Sequence, residues 1–158
     1  MTITMISVGT IKEDYLVRAI EEYKKRLSLY ARVDEVVLKE ERIQNEDDTS
    51  EVARALEREG EAILRALPKD AFKVAMCVEG VQFDSVTLAK KLEDGASGSG
   101  KIALVIGSSH GLSPKVKGAC DLKLSVSKLT FPHQLLRAML FEILYRSFTI
   151  MKGKRYHK

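Results

Sequence analysis

Five apolar residues in unbroken succession, Ile102-Ala103-Leu104-Val105-Ile106, constrain this chain more than any other segment. Glycines bound the run closely, with Gly100 before it and Gly107 after it. A strand with one wet face alternates apolar and polar side chains. A run without alternation predicts a strand covered on both faces, and such strands belong to parallel sheets whose crossovers are helices.

The rest of the chain supplies those helices. Residues 2–9 are β-rich and read as a first strand. Residues 13–30 place Leu16, Ala19, Ile20, Tyr23, Leu27 and Tyr30 at the spacing of an amphipathic helix. Residues 33–38 predict a second strand, 40–48 an acidic loop, and 49–67 a second helix stopped by Pro68. Residues 72–78 predict a third strand. Asp84 or Ser85 caps a helix reaching about residue 94, and residues 95–100 form a flexible Gly/Ser linker. After the apolar run, 107–113 is a loop, 114–120 a helical turn or two, 122–126 a last strand and 132–151 a long last helix. Strands alternating with helices predict a single α/β domain over residues 1–158, with a mostly parallel sheet flanked by helices.

Composition excludes some classes. Charged residues make up 30% of the chain, and no apolar run approaches the roughly 18 residues that cross a membrane. The start, Met1-Thr2-Ile3-Thr4-Met5, has no basic n-region, so no signal peptide is expected. Cys77 and Cys120 lie far apart in apolar stretches and predict buried free thiols in a reducing, cytoplasmic setting. Charge is unevenly placed. Residues 34–61 hold eleven acids against four bases, whereas residues 101–158 hold eleven bases against two acids. A C-terminal third so basic predicts a polyanionic partner.

Three chemistries are ruled against by spacing. Gly95-Ala-Ser-Gly-Ser-Gly100-Lys101 approaches the phosphate-binding P-loop, but Ile102 stands where a hydroxyl should hold magnesium. The segment also opens a strand rather than a helix. His110, His133 and His157 have no carboxylate or thiolate at ligand spacing, so no metal site is expected. The first strand is not followed by the glycine fingerprint of a dinucleotide fold.

Two loops remain. Gly107-Ser108-Ser109-His110-Gly111 leaves the buried strand, and ligands of open α/β sheets bind beyond carboxyl strand ends. Val126 through Gln134 leaves the last strand and enters the last helix, with Thr130 or Phe131 near the N-cap and Pro132 in the first turn. The last helix carries Leu135, Leu136, Met139, Leu140, Ile143, Leu144, Phe148 and Met151. One edge of that stripe can cover the sheet and the other can meet a second subunit, which predicts a homodimer. Its polar edge bears Arg137, Glu142 and Arg146, the last two at ion-pair spacing. The tail, Lys152 to Lys158, is basic around Tyr156, suited to phosphates and to stacking on a base.

The start Ile6-Ser-Val-Gly9, the loop from Ile106 to Leu112, the run Ser127-Lys-Leu-Thr-Phe-Pro-His-Gln134 and the end Tyr156-His157-Lys158 together resemble one family. It is the large-subunit ribosomal RNA pseudouridine N3-methyltransferases of the SPOUT superfamily, and the resemblance spans the whole chain. Two positions depart from the family pattern: Ser108 replaces the second of two glycines, and His110 replaces an Asn or acid. The resemblance implies an α/β knot, a deep trefoil formed by about residues 101–158, in a homodimer. It implies S-adenosylmethionine as cofactor, held at Met76, Gly107, Val126, Ser127, Lys128, Leu129, Thr130 and Phe131. It implies methylation of N3 of pseudouridine 1915 in 23S ribosomal RNA, on the assembled ribosome. That nitrogen carries a proton, so a base is required. His133, Tyr156 and His157 are the candidates for it, with Arg137 or Arg146 stabilising the developing anion. The rival reading is a non-catalytic RNA- or ribosome-binding module, which would ignore S-adenosylmethionine.

Overall fold

The computed structural model describes residues 1–156. Ten elements alternate along them: β1 (Thr2–Val8), α1 (Asp14–Leu27), β2 (Arg32–Leu38), α2 (Thr49–Ala66), β3 (Phe72–Val81), α3 (Ser85–Ala96), β4 (Lys101–Ile106), α4 (Pro114–Gly118), β5 (Leu122–Leu124) and α5 (His133–Met151). The five strands form one parallel sheet in the order β2-β1-β4-β3-β5. β4 is its middle strand, and every residue from Ile102 to Ile106 is buried.

Successive side chains of each strand serve opposite layers. Ile3 and Met5 of β1, Val74 and Met76 of β3, and Ile102, Leu104 and Ile106 of β4 pack with α1, α3 and α5. Ile6, Val8, Ala75 and Val105 pack on the other face with Ile63 of α2 and Val116 of α4. The helix α5 lies between α1 and α3. Its position follows from its sequence. Leu140, Phe141, Leu144 and Phe148 are fully buried, and Leu135, Leu136, Ile143 and Met151 pack half-buried against the same core. Much of the stripe expected to serve a second subunit is therefore already covered within the chain.

Helix starts follow capping chemistry. The Asp48 carboxylate accepts from the N–H groups of Ser50 and Glu51, and Asp84, not Ser85, caps α3 through the Thr87 N–H at 2.7 Å. The start of α5 has no side-chain cap. Pro132 itself stands at the N-cap, where Thr130 or Phe131 was expected.

Three segments differ from the sequence reading. The first third of the Gly/Ser linker is helix: Gly95 and Ala96 close α3, and a Cβ on Gly95 would fall 2.4 Å from the Phe72 ring. That glycine permits close helix–strand packing rather than flexibility. The strand β3 runs on to Val81 through an irregularity between Met76 and Val81, while β5 stops at Leu124. There the Ser125 N–H turns to the Val81 carbonyl at 3.0 Å. Cys77 and Cys120 are free thiols but only half-buried, and burial pushes the Cys120 thiol up to about 11.

Truncating Phe141 tests where the core sits. Phe141→Ala should destabilise the fold by about 3–5 kcal/mol, the range for removing a fully buried aromatic ring, as measured by urea unfolding.

Candidate functional site

The carboxyl ends of β3, β4 and β5 surround a cavity of about 520 Å³, a volume within the usual range of small-molecule sites. Met76, Cys77, Val78 and Glu79 of β3 form one wall. The β4 loop from Gly107 to Gly111 forms a second. Val126, Ser127, Leu129, Thr130 and Phe131 form a third, closed by His133 and Leu136 of α5.

The β4 loop is a tight reversal. The Gly111 N–H donates to the Ser108 carbonyl at 3.0 Å, and Gly111 has φ +86°, a left-handed value that favours glycine. A Cβ on Gly107 would stand 1.9 Å from the Gly111 carbonyl oxygen. The loop's own closure thus requires glycine at 107.

Ser108 is 6% exposed, and its hydroxyl donates to Glu59 Oε2 at 2.8 Å. The other Glu59 oxygen accepts from the Glu41 N–H at 3.0 Å. Glu59 is itself 4% exposed. Burial, helped by the Glu40 and Glu41 carboxylates, raises its pKa above the usual carboxylate value. Sequence reasoning missed this residue among eleven neighbouring acids. A signal was present: Ala55, Glu59 and Ile63 repeat every four residues, which sets the carboxylate on the buried stripe of α2.

The third wall is a turn built on serines. Ser125 Oγ donates to the Ser127 carbonyl at 2.8 Å, and Ser127 Oγ accepts from the Leu129 N–H at 3.0 Å. Leu129 is 71% exposed although it borders the cavity. The β3 irregularity leans on this turn, because a Cβ on Gly80 would lie 2.6 Å from the Leu124 backbone. Glu79 on the irregularity pairs with Lys117 of α4.

Of the eight expected cofactor positions, seven line the cavity, and Lys128 does not. The expected catalytic group disperses. His133 lines the cavity, close to Gly9: a Cβ built there would be 3.8 Å from Nε2. Arg137 is not part of the wall. It is buried, with Nη2 on Glu35 at 3.1 Å and Nη1 on the Gly9 carbonyl at 3.4 Å. Lys24 reaches the same Glu35 carboxylate at 2.6 Å. Burial alone would raise the Glu35 pKa, but the bonds from Lys24 and Arg137 outweigh it and hold it below the usual value. Arg137 therefore ties α5 to β1 and β2. Tyr156 lies beyond the far end of α5. Its ring meets Tyr145 edge-on at 4.7 Å, Arg146 sits 4.7 Å above it, and its hydroxyl donates to Glu142 at 3.3 Å. Burial, with Tyr23 and Glu142 nearby, pushes that hydroxyl's pKa up, which keeps it protonated. The expected Glu142–Arg146 pair forms at 2.6 Å. His157 lies outside the described residues.

Several C-terminal cations are partnered. Lys101 pairs with Asp70 and Lys115 with Glu57, each at 2.7 Å. Among the described residues, no three His, Cys, Asp or Glu gather as metal ligands, and no helix is long and apolar enough to cross a membrane.

Comparison with known proteins adds a lineage. Residues 1–157 match the family model described as "Predicted SPOUT methyltransferase". The chain is 45% identical to the ribosomal RNA large subunit methyltransferase H of Shouchella clausii, covering 100% of both chains. It is 44% identical to the protein of that name from Caldicellulosiruptor bescii, covering 99% of both. Among solved structures, a tRNA (m1G37) methyltransferase from Aquifex aeolicus shares the fold with a TM-score of 0.54 at 12% identity, over 93% of this chain and 69% of that one. Another, described as "Structural insights into the 2-OH methylation of C/U34 on tRNA", gives a TM-score of 0.52 at 14% identity, over 97% of this chain and 98% of the other.

Two substitutions test the geometry. Gly107→Ala should cost about 1–3 kcal/mol by overpacking the loop, and hydrogen exchange should quicken at residues 107–113. Arg137→Met should destabilise the fold at neutral pH by about 1–3 kcal/mol through loss of a charged hydrogen bond. The Glu35 contribution is full above the usual carboxylate pKa and is lost as pH falls through its lowered folded value. The gap between wild type and Arg137→Met, read by urea unfolding, should accordingly narrow in acid.

Proposed function

Because this chain belongs to the SPOUT methyltransferase family, we propose that it transfers a methyl group from S-adenosylmethionine to N3 of pseudouridine 1915 in 23S ribosomal RNA, with the assembled ribosome as substrate. The observation that carries this reading is the cavity at the ends of β3, β4 and β5, whose walls are the segments the sequence nominated.

The residues present suit that cofactor. Met76, Leu124, Val126 and Leu136 offer apolar surface for a flat heterocycle. Among the described residues, Thr130 and Phe131 make no hydrogen bond, so their backbone N–H groups are free for a ligand's polar edge. When bound, S-adenosylmethionine supplies a sulfonium methyl already activated for in-line displacement. The protein's task is then to place the attacking nitrogen and to take its proton. His133 stands in the cavity wall, and a neutral imidazole nitrogen accepts a proton, so it is the group we assign to that proton.

Tyr156 and Arg146 belong to the other end of α5. A helix of 19 residues is about 28 Å long, so these side chains lie far from their own chain's cavity. They reach a cavity only if it belongs to a second copy. This geometry favours a homodimer in which the tail of one chain serves the site of the other. The knot over residues 101–158 is part of the same proposal.

Ribosomes lacking the modification, incubated with the protein and S-adenosylmethionine, should gain one N3-methylpseudouridine at that position, read by mass spectrometry of the nucleosides. Absence of methyl incorporation, or methylation elsewhere, overturns the assignment. Calorimetry should report S-adenosylmethionine binding, which a pure RNA-binding module would not show. Light scattering should give twice the 17.7 kDa chain mass.

The tail makes a separate prediction. Deleting residues 154–158 should abolish most ribosome methylation while leaving cofactor affinity nearly unchanged. It should also lower stability slightly, by about 0.5–1.5 kcal/mol, because the Tyr156–Tyr145 ring pair is lost.

A further inference from the structure

We propose that Glu59 is a positioning residue for the methyl-donor site, holding the Gly107–Gly111 loop in place through Ser108. The inference rests on the reading of the cavity as the cofactor site, and goes beyond it to a residue that does not touch the cavity.

Among the described residues, Glu59 is the only buried carboxylate. Burying a carboxylate without a cationic partner is costly. Here the nearest arginine along the helix, Arg58, turns to Glu41 instead. The shift of the Glu59 pKa to higher values agrees with that cost. Its neighbours on the same stripe, Ala55, Gly60 and Ile63, are the small and apolar residues expected of a buried helix face. An apolar residue at 59 would continue the stripe and avoid the cost. The carboxylate is explained by what it holds.

It holds two pieces of chain, and the second has little else. On one side it accepts the Glu41 N–H, fixing the start of the acidic segment after β2. On the other it accepts the Ser108 hydroxyl. Among the described residues, that bond is the only side-chain hydrogen bond from residues 107–111 to the rest of the protein, since Ser109 bonds only to its neighbour His110. The five loop residues form one wall of the cavity. Gly107 has no space for a Cβ, so the loop cannot shift toward Gly111 to compensate. Releasing Ser108 therefore moves the wall that the cofactor meets, while the sheet beneath it stays as it is.

The test uses the full-length protein, with S-adenosylmethionine binding by calorimetry, melting temperature, and ribosome methylation at saturating ribosome. Glu59→Ala and Ser108→Ala should each weaken cofactor binding roughly five- to tenfold, the effect of one lost hydrogen bond of ordinary strength. The double variant should lose no more than the worse single variant, because both changes cut the same tether. The KM for S-adenosylmethionine should rise with affinity while kcat changes less than twofold. Glu59→Gln should restore affinity to within about twofold, since its amide can accept from the Glu41 N–H and donate to Ser108 Oγ. Ala55→Gly, which lowers the melting temperature through helix propensity on the same stripe, should leave cofactor affinity unchanged. Folded Glu59→Ala and Ser108→Ala proteins that bind the cofactor as wild type does overturn the proposal. So do additive losses, or a Gln variant as weak as Ala. If wild type itself fails to bind S-adenosylmethionine, the functional reading falls, and that outcome is distinct from equal binding by wild type and variants.

Discussion

The strand β4 meets water on neither face, and most of the architecture follows from that condition. Its two faces must be covered by helices of different layers, so the chain has to cross from one side of the sheet to the other between successive strands. The covering helices take the side chains of alternate strand residues: Ile102, Leu104 and Ile106 toward α5 and its neighbours, Val105 toward α2 and α4. A parallel sheet also sends all its strands the same way, so the loops after β3, β4 and β5 emerge at one end. The cavity is where those loops meet, and no long insertion is needed to make it.

Two acidic centres, half-buried Glu35 and buried Glu59, do different jobs in this frame. Glu35 is paired with two cations and joins helix to strand: Lys24 comes from α1 and Arg137 from α5. Glu59 has no cation and joins loop to loop through neutral donors. The first centre contributes stability that depends on both partners being charged. The second carries a desolvation cost and gives in return a fixed position for a loop that has few other restraints. A protein of this size tolerates one such cost because the sheet core beneath it is continuous.

The residues that periodicity governs were readable in advance. The apolar run at 102–106, the amphipathic helices and the two loops after β4 and β5 are local patterns, and each turned up at its expected place. The strand order was not readable, because it depends on which strands meet after long crossovers. Nor was the irregularity of β3, which exists because Gly80 comes against the backbone of Leu124, a residue far along the chain. Arg137 shows the same limit at a single side chain. On the helix wheel it belongs to the polar edge, and the resemblance made it a candidate for stabilising an anion. Its partner is Glu35, a hundred residues earlier, and that pairing buries it. Lys128 departs for the opposite reason: it sits inside the nominated segment, but it is absent from the cavity wall beside the serine-based turn.

The place of α5 between α1 and α3 has a consequence for how the molecule is made. The helix that fills the middle of one layer is the last of the described elements in chain order. Until it arrives, Leu16, Ile20 and Leu27 of α1 and Leu88 and Leu92 of α3 border a trough with no floor but the bare sheet. The nascent chain thus carries an open apolar groove until α5 emerges, a state that favours association with other unfinished chains or with a chaperone. Docking of α5 then closes contacts across more than a hundred residues at once, including Arg137 with Glu35 and Gln134 with the Lys12 N–H. Contacts of such long range make for slow final assembly.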